Sequence, residues 1–145
     1  LGQNQGGAND NYSYSSPVQI PGTSWANVGT NGTSVIAVKT NGTLWSWGYQ
    51  TRGQLGLNSN VKYSSPVQVG SATDWSTSNE IHVGTTVGVI KTDGTLWMWG
   101  NNQYGEMGVN TDIANYSSPV QVPGTWVELD QNSWSGSTIA RPVNA

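Results

Sequence analysis

The 145-residue sequence predicts an all-β fold, organised as a β-propeller segment of roughly three four-stranded blades. Three observations predict it. Several short motifs recur with a period of about 51 residues, at the upper end of the range for propeller blades. Runs rich in β-branched residues lead into Asn-Gly or Asp-Gly pairs, which are strong short signals for a β-hairpin. Eight Trp and six Tyr provide large apolar surfaces to a chain that is otherwise rich in Gly, Ser, Thr and Asn.

The low charge of the chain argues against nucleic acid as a partner. Lys and Arg total 5 and Asp and Glu total 8, for a net charge of −3. Binding a phosphate backbone needs clustered Lys and Arg side chains. No apolar run approaches the length of a membrane span, so we expect no membrane insertion, and the lack of Cys excludes disulfides and thiolate metal sites. The five cationic residues are scattered along the sequence, at Lys39, Arg52, Lys62, Lys91 and Arg141.

The repeats divide the chain into four parts. The motif "YSSPVQ" stands at Tyr14–Gln19, Tyr63–Gln68 and Tyr116–Gln121, and a Trp follows each copy. A glycine loop, "GQLGLN" at Gly53–Asn58, returns as "GEMGVN" at Gly105–Asn110. Because the outer parts are incomplete repeats, we expect a single propeller segment cut from a longer array. The predicted divisions are a partial repeat over 1–24, repeats over 25–74 and 75–125, and a partial repeat over 126–145.

Each complete repeat contains a predicted hairpin. The run "SVIAVK" (Ser34–Lys39) leads through Asn41-Gly42 into "LWSWG". A two-residue type I′ turn is predicted there, because Asn and Gly tolerate the positive φ that both central positions require. In the next repeat, "TVGVIK" leads through Asp93-Gly94 into "LWMWG". The "PVQV" segments are predicted to be outer strands, because proline at a strand edge costs no ladder hydrogen bond.

The second strand of each hairpin is predicted to be apolar on both faces. Side chains alternate along a strand, so Trp45 and Trp47 share one face while Leu44 points to the other. Such a strand needs a layer on each side, which the neighbouring blades of a propeller provide. We therefore expect the paired tryptophans to form a wedge between successive blades. The equivalent residues of the second copy are Trp97, Trp99 and Leu96, and the other repeated tryptophans assigned to the blade core are Trp25, Trp75 and Trp126.

The sequence resembles a known family most clearly over Asp93–Gly108, "DGTLWMWGNNQYGEMG". With the following "PVQV" and the later Trp, this pattern resembles the regulator-of-chromosome-condensation repeat over nearly the whole chain. The resemblance implies part of a larger propeller, commonly of about seven blades. The first copy departs from the pattern with Gln50 where the second has Asn102, and small residues replace the His that often precedes the inner strand. The Thr-, Asn- and Gly-rich composition is similar to copies in bacterial surface proteins and in phage virion proteins.

No catalytic or metal-binding constellation is predicted. His82 is the only His, so a Ser-His-Asp arrangement has one possible base, and a lone His of this kind is more often structural or solvated. The loop Gly48–Gly56 lacks the Lys-Ser/Thr and the following helix of a phosphate cradle. The segment Asp130–Gly136 places Trp134 where a calcium loop needs an oxygen ligand. We therefore expect no enzyme activity, no cofactor and no metal.

The two complete copies differ mainly in loops, which a rigid scaffold leaves free to vary. The segment "YQTR" becomes "NNQY", and "NSNVK" becomes "NTDIAN". Tyr and Arg are enriched at protein interfaces, so these loops are the predicted binding surface, with solvated loop tips as the alternative. Exposed indoles would also suit a glycan, although most of the Trp residues recur at positions typical of core packing. The candidate binding residues are Tyr49, Arg52, Lys62, His82, Asn101, Tyr104 and Asp112.

These features indicate a non-catalytic structural and recognition module on an extracellular or virion surface. Its partner is predicted to be a protein or a glycan bound through the propeller loops. The family resemblance leaves two alternatives open: a guanine-nucleotide exchange factor for a small GTPase, and a secreted enzyme inhibitor. The sequence contains no nuclear-localisation run and no basic tail that would favour the first. We expect the remaining blades to come from the same longer chain or from other copies, since an exposed blade edge invites pairing.

Overall fold

The computed structural model describes residues 16–129 and 140–143, in which strands are joined by loops and turns without a helix. Two four-stranded antiparallel sheets follow one another along the chain, and a two-stranded sheet follows them. The all-β propeller segment is therefore confirmed, with two complete blades and two strands of a third among these residues. Blade 1 consists of β1 (Trp25–Thr30), β2 (Ser34–Lys39), β3 (Leu44–Gly48) and β4 (Tyr63–Gln68); blade 2 consists of β5 (His82–Val83), β6 (Thr86–Ile90), β7 (Leu96–Asn101) and β8 (Asn115–Val122); blade 3 contributes β9 (Trp126–Leu129) and β10 (Ala140–Pro142).

Each complete blade is a meander in which consecutive strands pair. The strand order is β1-β2-β3-β4 in blade 1 and β5-β6-β7-β8 in blade 2. The proline-containing strands β4 and β8 each lie at an edge of their sheet, as their sequence predicts.

The four divisions of the chain stay a prediction, and residues 1–15 of the first lie outside the described residues. No helix suited to crossing a membrane occurs in residues 16–129 or 140–143.

The hairpins form where the sequence predicts them, but the turn type differs from the prediction. The Lys39 N–H donates to the Thr43 carbonyl at 3.0 Å, and the Gly42 N–H donates to the Lys39 carbonyl at 2.9 Å. Gly42 has a φ of 74°, whereas Asn41 is not among the residues with positive φ. This is a three-residue connection, a type I turn followed by a glycine bulge, and the predicted type I′ turn is wrong. The second turn repeats it: the Lys91 N–H donates to the Thr95 carbonyl at 2.9 Å, the Gly94 N–H donates to the Lys91 carbonyl at 3.0 Å, and Gly94 has a φ of 81°.

A short relay of side-chain hydrogen bonds explains the choice of turn. The Asn41 Oδ1 accepts the Thr43 N–H at 3.2 Å and the Thr43 hydroxyl at 2.7 Å. The same hydroxyl oxygen accepts the Trp45 indole N–H at 2.9 Å. Such local bonds favour Asn and Asp in turns, and here they also orient the first Trp of the pair. In blade 2 the corresponding relay runs from Asp93 through Thr95 to Trp97, with distances of 2.9, 2.7 and 3.0 Å.

Asp93→Asn is expected to remove a small acid-sensitive contribution to stability. Hydrogen bonds from the Thr95 hydroxyl and backbone N–H hold the pKa of Asp93 below its ordinary value of 3.8. A carboxyl with a lower pKa in the folded chain stabilises the fold above the unfolded pKa and loses that contribution as pH falls through the folded pKa. Urea unfolding from neutral pH down to about pH 2 should therefore show a shallower acid loss in the variant. The reciprocal Asn41→Asp change should steepen the loss, and identical profiles for all three chains would contradict this role.

The core lies between blades. Blade 2 has a leading face, which carries Trp97 and Trp99, and a trailing face, which carries Leu96; blade 1 has equivalent faces. Trp99 is fully buried, and its Nε1–H donates to the Gln54 carbonyl of blade 1 at 2.8 Å. The leading face of blade 2 therefore packs on the trailing face of blade 1. Their shared cluster contains Ile36, Val38, Leu44, Val69, Trp75, Ile81, Val87, Val89 and Trp99, and a second cluster joins Ile90, Leu96, Met98, Met107 and Val122 to Leu129 of blade 3.

The tryptophan that opens each repeat links its blade to the turn of the preceding one. The backbone N–H of Trp75 donates to the Gly42 carbonyl at 3.2 Å, and the backbone N–H of Trp126 donates to the Gly94 carbonyl at 2.8 Å. The Trp75 ring also meets Trp97 of its own blade edge-on, with centroids 6.2 Å apart. Each recurring motif thus marks a contact that recurs from blade to blade. Trp47, Trp75 and Trp99 are buried, while Trp25, Trp45, Trp97 and Trp126 are half-buried.

Candidate functional site

The loops that differ between repeats lie at corresponding strand ends. Rim loop 1, residues 49–62, connects β3 to β4, and rim loop 2, residues 102–114, connects β7 to β8. Rim loop 1 also contacts the neighbouring blade, since the Asn58 N–H donates to the Ser117 carbonyl at 2.6 Å. An added Cβ at Gly53 would meet the Ser117 backbone at 2.6 Å, so only glycine fits this approach. The two loops therefore lie side by side on one edge of the two blades.

A buried amide holds the backbone of rim loop 1. The Gln50 Nε2 donates to the Ser59 carbonyl at 2.8 Å and to the Val61 carbonyl at 2.7 Å, and its Oε1 accepts the Leu55 N–H at 3.1 Å. Gln50 is only 4% exposed, and Leu55 is fully buried beneath the loop. Buried amides with satisfied hydrogen bonds are rigid anchors. These side-chain hydrogen bonds therefore fix the conformation of the loop, although it is not part of a β-sheet.

Asn102 performs the same task in rim loop 2. Its Nδ2 donates to the Thr111 carbonyl at 3.5 Å and to the Ile113 carbonyl at 3.0 Å, and its Oδ1 accepts the Met107 N–H at 3.1 Å. The departure of Gln50 from the family pattern therefore keeps the hydrogen bonds that Asn102 makes. The longer Gln side chain reaches the equivalent three backbone groups.

A polar bridge connects the two blades at this edge. The Arg52 Nη1 donates to the Asn101 Oδ1 at 2.9 Å and to the Gln103 Oε1 at 3.3 Å. The Asn101 Nδ2 in turn donates to the Glu106 Oε1 at 2.5 Å, and the other oxygen of Glu106 accepts the Tyr104 N–H at 2.8 Å. Because it joins rim loop 1 to blade 2, this bridge limits the relative motion of the two loops.

The placement of Asn101 corrects its assignment to a loop surface. It lies at the end of β7, is 8% exposed, and uses both ends of its amide within the polar bridge. Arg52 is exposed but is also engaged in that bridge. Lys62 and Asp112 are exposed in rim loops 1 and 2. The side chain of Asn101 is therefore a structural element beneath the loops.

Four apolar or aromatic side chains project from the rim loops. Tyr49 is 54% exposed and Tyr104 is 84% exposed, both at positions singled out from sequence. Val61 and Ile113 are 58% and 54% exposed, and sequence reasoning missed them. They occupy equivalent places, since each carbonyl accepts the anchoring amide of its own loop. The signal was an aliphatic residue at the same position of two mostly polar segments, "NSNVK" and "NTDIAN".

Residues 41–85 and 93–127 each match the family model for the regulator of chromosome condensation (RCC1) repeat. Together the two matches cover more than half of the chain. The chain belongs to the RCC1 repeat family. The family predicted from the tryptophan and glycine motifs is thus confirmed. Propellers of RCC1 repeats are generally non-catalytic binding or regulatory modules.

Solved RCC1-type propellers share the fold of this chain. Human WBSCR16 is 22% identical, with a TM-score of 0.63 over 74% of this chain and 27% of that protein. Prp20p from Saccharomyces cerevisiae, solved in a study of its binding to Gsp1p and histones, is 15% identical, with a TM-score of 0.62 over 81% of this chain and 31% of its own. Yeast RCC1 (Prp20) with Kap60 bound gives a TM-score of 0.61 at 17% identity. The chain thus spans less than a third of the solved propellers that it matches.

His82 does not belong to the RCC1 rim surface. It lies in β5, pairs with Gly88 of β6 and is 3% exposed. Its assignment as a loop candidate is wrong, because β5 packs between blades: an added Cβ at Gly29 of β1 would lie 2.9 Å from the Val83 side chain of β5. Residues 16–129 and 140–143 contain no group of three His, Asp or Glu side chains that suits a metal ion. The segment Asp130–Gly136, with Trp134, lies outside the described residues.

Proposed function

We propose that this RCC1-repeat segment is a non-catalytic recognition module that binds a protein through its two rim loops on an extracellular or virion surface. The observation that carries the proposal is the exposure of Tyr49, Val61, Tyr104 and Ile113 on loops whose backbones are fixed by buried amides. Aromatic and aliphatic anchors on a preorganised backbone lose little entropy on binding. A protein surface is the partner that suits four such side chains on one edge.

The charges of the chain support a protein rather than a nucleic acid partner. Lys39 lies over the Trp45 ring at 4.0 Å from its centroid, and Lys91 lies over the Trp97 ring at 4.8 Å and pairs with Asp74 at 2.9 Å. Arg52 is held in the polar bridge, and Arg141 pairs with Glu128 at 2.8 Å. Four of the five cations are thus engaged within the chain. The proteins named with Prp20p, which include Gsp1p, histones and Kap60, also support protein binding on this fold.

The surface location is supported by composition. The few charges and abundant Thr, Asn, Ser and Gly resemble those of repeat copies in bacterial surface and phage virion proteins, and the net charge of −3 differs from that of a basic nuclear regulator. A glycan is the second partner class, and exposed aromatic side chains such as Tyr104 suit it as well.

The Tyr49→Ser/Tyr104→Ser variant is expected to weaken partner binding at least about tenfold, because aromatic anchors carry much of the energy of an interface. The biotinylated chain is applied to panels of surface and secreted proteins, to a glycan array and to small GTPases loaded with fluorescent nucleotide. The proposal expects a protein ligand whose Kd rises in the double variant. Val127→Ser, which removes an exposed aliphatic group outside the rim loops, is the matched control and should leave Kd unchanged.

Four outcomes distinguish the alternatives. Binding that is unchanged in the double variant would contradict the rim as the binding surface. Accelerated nucleotide release from a GTPase would replace the proposal with an exchange-factor function. Inhibition of a secreted hydrolase would replace it with the inhibitor function, and signals confined to the glycan array would change the partner class.

A further inference from the structure

The tetrapeptide "TNGT" occurs twice in blade 1, and the fold gives the two copies different surroundings. The first copy, residues 30–33, includes the loop between β1 and β2, and the second, residues 40–43, forms the turn between β2 and β3. An Asn side chain loses its amide most readily before glycine, because glycine has no side chain to hinder attack by its own backbone nitrogen. Since both copies have the same local sequence, a difference in reactivity between their Asn residues comes from the fold.

The amide of Asn31 joins blade 1 to blade 2. Its Nδ2 donates to the carbonyl of Gly84, directly after β5, at 3.0 Å. At the other end of the same contact, the Asn27 Nδ2 donates to the Asn79 carbonyl at 2.5 Å. The two amides therefore hold β1 to the segment around β5 in the neighbouring blade. Asn27 is followed by Val28, whose branched side chain hinders attack, whereas Asn31 is followed by glycine.

The surroundings of Asn31 favour loss of its amide. Its Oδ1 accepts the Ser34 N–H at 2.8 Å, and it accepts the N–H and the hydroxyl of Thr33 at 3.1 and 3.0 Å. Such donors stabilise the negative charge that develops on Oδ1 when a nucleophile attacks the adjacent Cγ. Gly32 is exposed, and an added Cβ there would meet no atom within 4 Å. The Gly32 N–H donates to the hydroxyl of the exposed residue Thr30 at 3.1 Å, an acceptor that water can replace.

The second copy is packed against the next blade. Gly42 is buried, its N–H donates to the Lys39 carbonyl at 2.9 Å, and an added Cβ would lie 2.0 Å from the Thr73 carbonyl oxygen. Attack on the Asn41 side chain must break this hydrogen bond and move the glycine nitrogen within a tight contact. The fold therefore slows the reaction at Asn41. A carboxylate would also be tolerated there, because Asp93 occupies the equivalent position of blade 2 and makes the same hydrogen bonds.

We propose that Asn31 is a site of spontaneous deamidation, and that this modification loosens the contact between the inner strands of blades 1 and 2 as the protein ages. The Gly32 backbone nitrogen gives its proton to water and attacks the Asn31 Cγ. The bond from Cγ to the side-chain nitrogen breaks, ammonia leaves with a proton from water, and a cyclic imide forms. Addition of water to either imide carbonyl then opens the ring and gives aspartate or isoaspartate.

Both products lose the hydrogen bond to blade 2. A carboxylate replaces the amide, and an ionised carboxylate has no N–H to donate to the Gly84 carbonyl. Aspartate at position 31 keeps an oxygen for the N–H groups of Thr33 and Ser34, so the local turn is retained and the change falls on the contact between the blades. The inference is independent of the rim loops and of their partner.

Peptide mapping of the full chain tests the site. The folded chain is incubated at mildly alkaline pH and then digested with trypsin, which cleaves after Lys39 and Arg52 and so separates Asn31 from Asn41. Mass spectrometry detects each deamidation as a gain of about one dalton. We expect the reaction at Asn31 to be at least about tenfold faster than at Asn41 in the folded chain, and the two rates to be equal in guanidinium chloride. Equal rates in the folded chain, or unequal rates in the unfolded chain, would overturn the inference.

Asn31→Asp tests the consequence for the blades. Hydrogen exchange of the backbone N–H groups of β1 and β5 is expected to be at least about threefold faster in this variant than in the parent chain, because one hydrogen bond across the contact is lost. The aged parent chain should show the same increase in its deamidated fraction. Asn41→Asp is the matched control, adds the same charge, and should leave exchange in β5 unchanged. Unchanged exchange in Asn31→Asp, or an equal increase in both variants, would overturn the loosening of the contact.

Discussion

Gly42→Ala is expected to lower the free energy of unfolding by about 3 to 5 kcal/mol, enough to unfold a marginally stable domain. The residue has a φ of 74°, and a Cβ added there would lie only 2.0 Å from the Thr73 carbonyl oxygen. Both the turn and the approach of the next blade would have to shift. The carbonyl of Gly42 also accepts the backbone N–H of Trp75, so the shift would weaken this hydrogen bond between the blades.

Gly70→Ala is the matched control for this prediction. Gly70 also has a positive φ, 62°, but an added Cβ would meet no atom within 4 Å. Its cost should be limited to backbone strain, about 1 kcal/mol. Denaturant unfolding followed by Trp fluorescence measures both variants. Equal losses would show that strain alone decides the cost and would contradict the tight contact between the turn and the following blade.

Trp99→Ala is expected to lower the free energy of unfolding by about 3 to 5 kcal/mol, since the residue is fully buried between the blades. The loss includes the hydrogen bond to the Gln54 carbonyl, which would be left without its donor. Trp99→Phe keeps most of the apolar contact and removes only the N–H, so it should cost about 1 to 3 kcal/mol.

Trp45→Ala provides the comparison on the leading face of blade 1. Trp45 is half-buried, and its indole N–H donates to the Thr43 hydroxyl oxygen of its own turn. Truncation there should cost clearly less than at Trp99, because less apolar area returns to water. Equilibrium unfolding monitored by circular dichroism gives both values on one scale. A larger loss at Trp45 than at Trp99 would contradict the packing between blades.

The repeat pattern predicted those features that depend on contacts within a few residues or on contacts that recur from blade to blade. Trp99 was expected between blades because alternation along β7 requires cover on both of its faces. The hairpins at Gly42 and Gly94 were expected from local turn chemistry. The turn type was missed because the side chains of Asn41 and Asp93 bond to the Thr two residues later, which stabilises the three-residue connection.

The candidate site was less predictable because burial in loops depends on contacts between different repeats. Asn101 looked like a loop residue, yet Arg52 of the preceding blade and Glu106 enclose its amide. His82 looked like a member of a long variable segment, yet the contact between β1 and β5 buries it. Val61 and Ile113 were overlooked because an isolated aliphatic residue in a polar loop has no periodic signal.

The central claim is that tryptophans of one sheet are enclosed by the preceding sheet. NMR of the full chain tests it at Trp99, whose Nε1 lies 3.0 Å from the position of a Cβ added at Gly56 and donates to the Gln54 carbonyl. The account predicts a strong NOE between the Trp99 indole N–H and the Gly56 Hα protons, together with slow exchange of that N–H with solvent. A rapidly exchanging Trp99 indole with no NOE to Gly56 would contradict it.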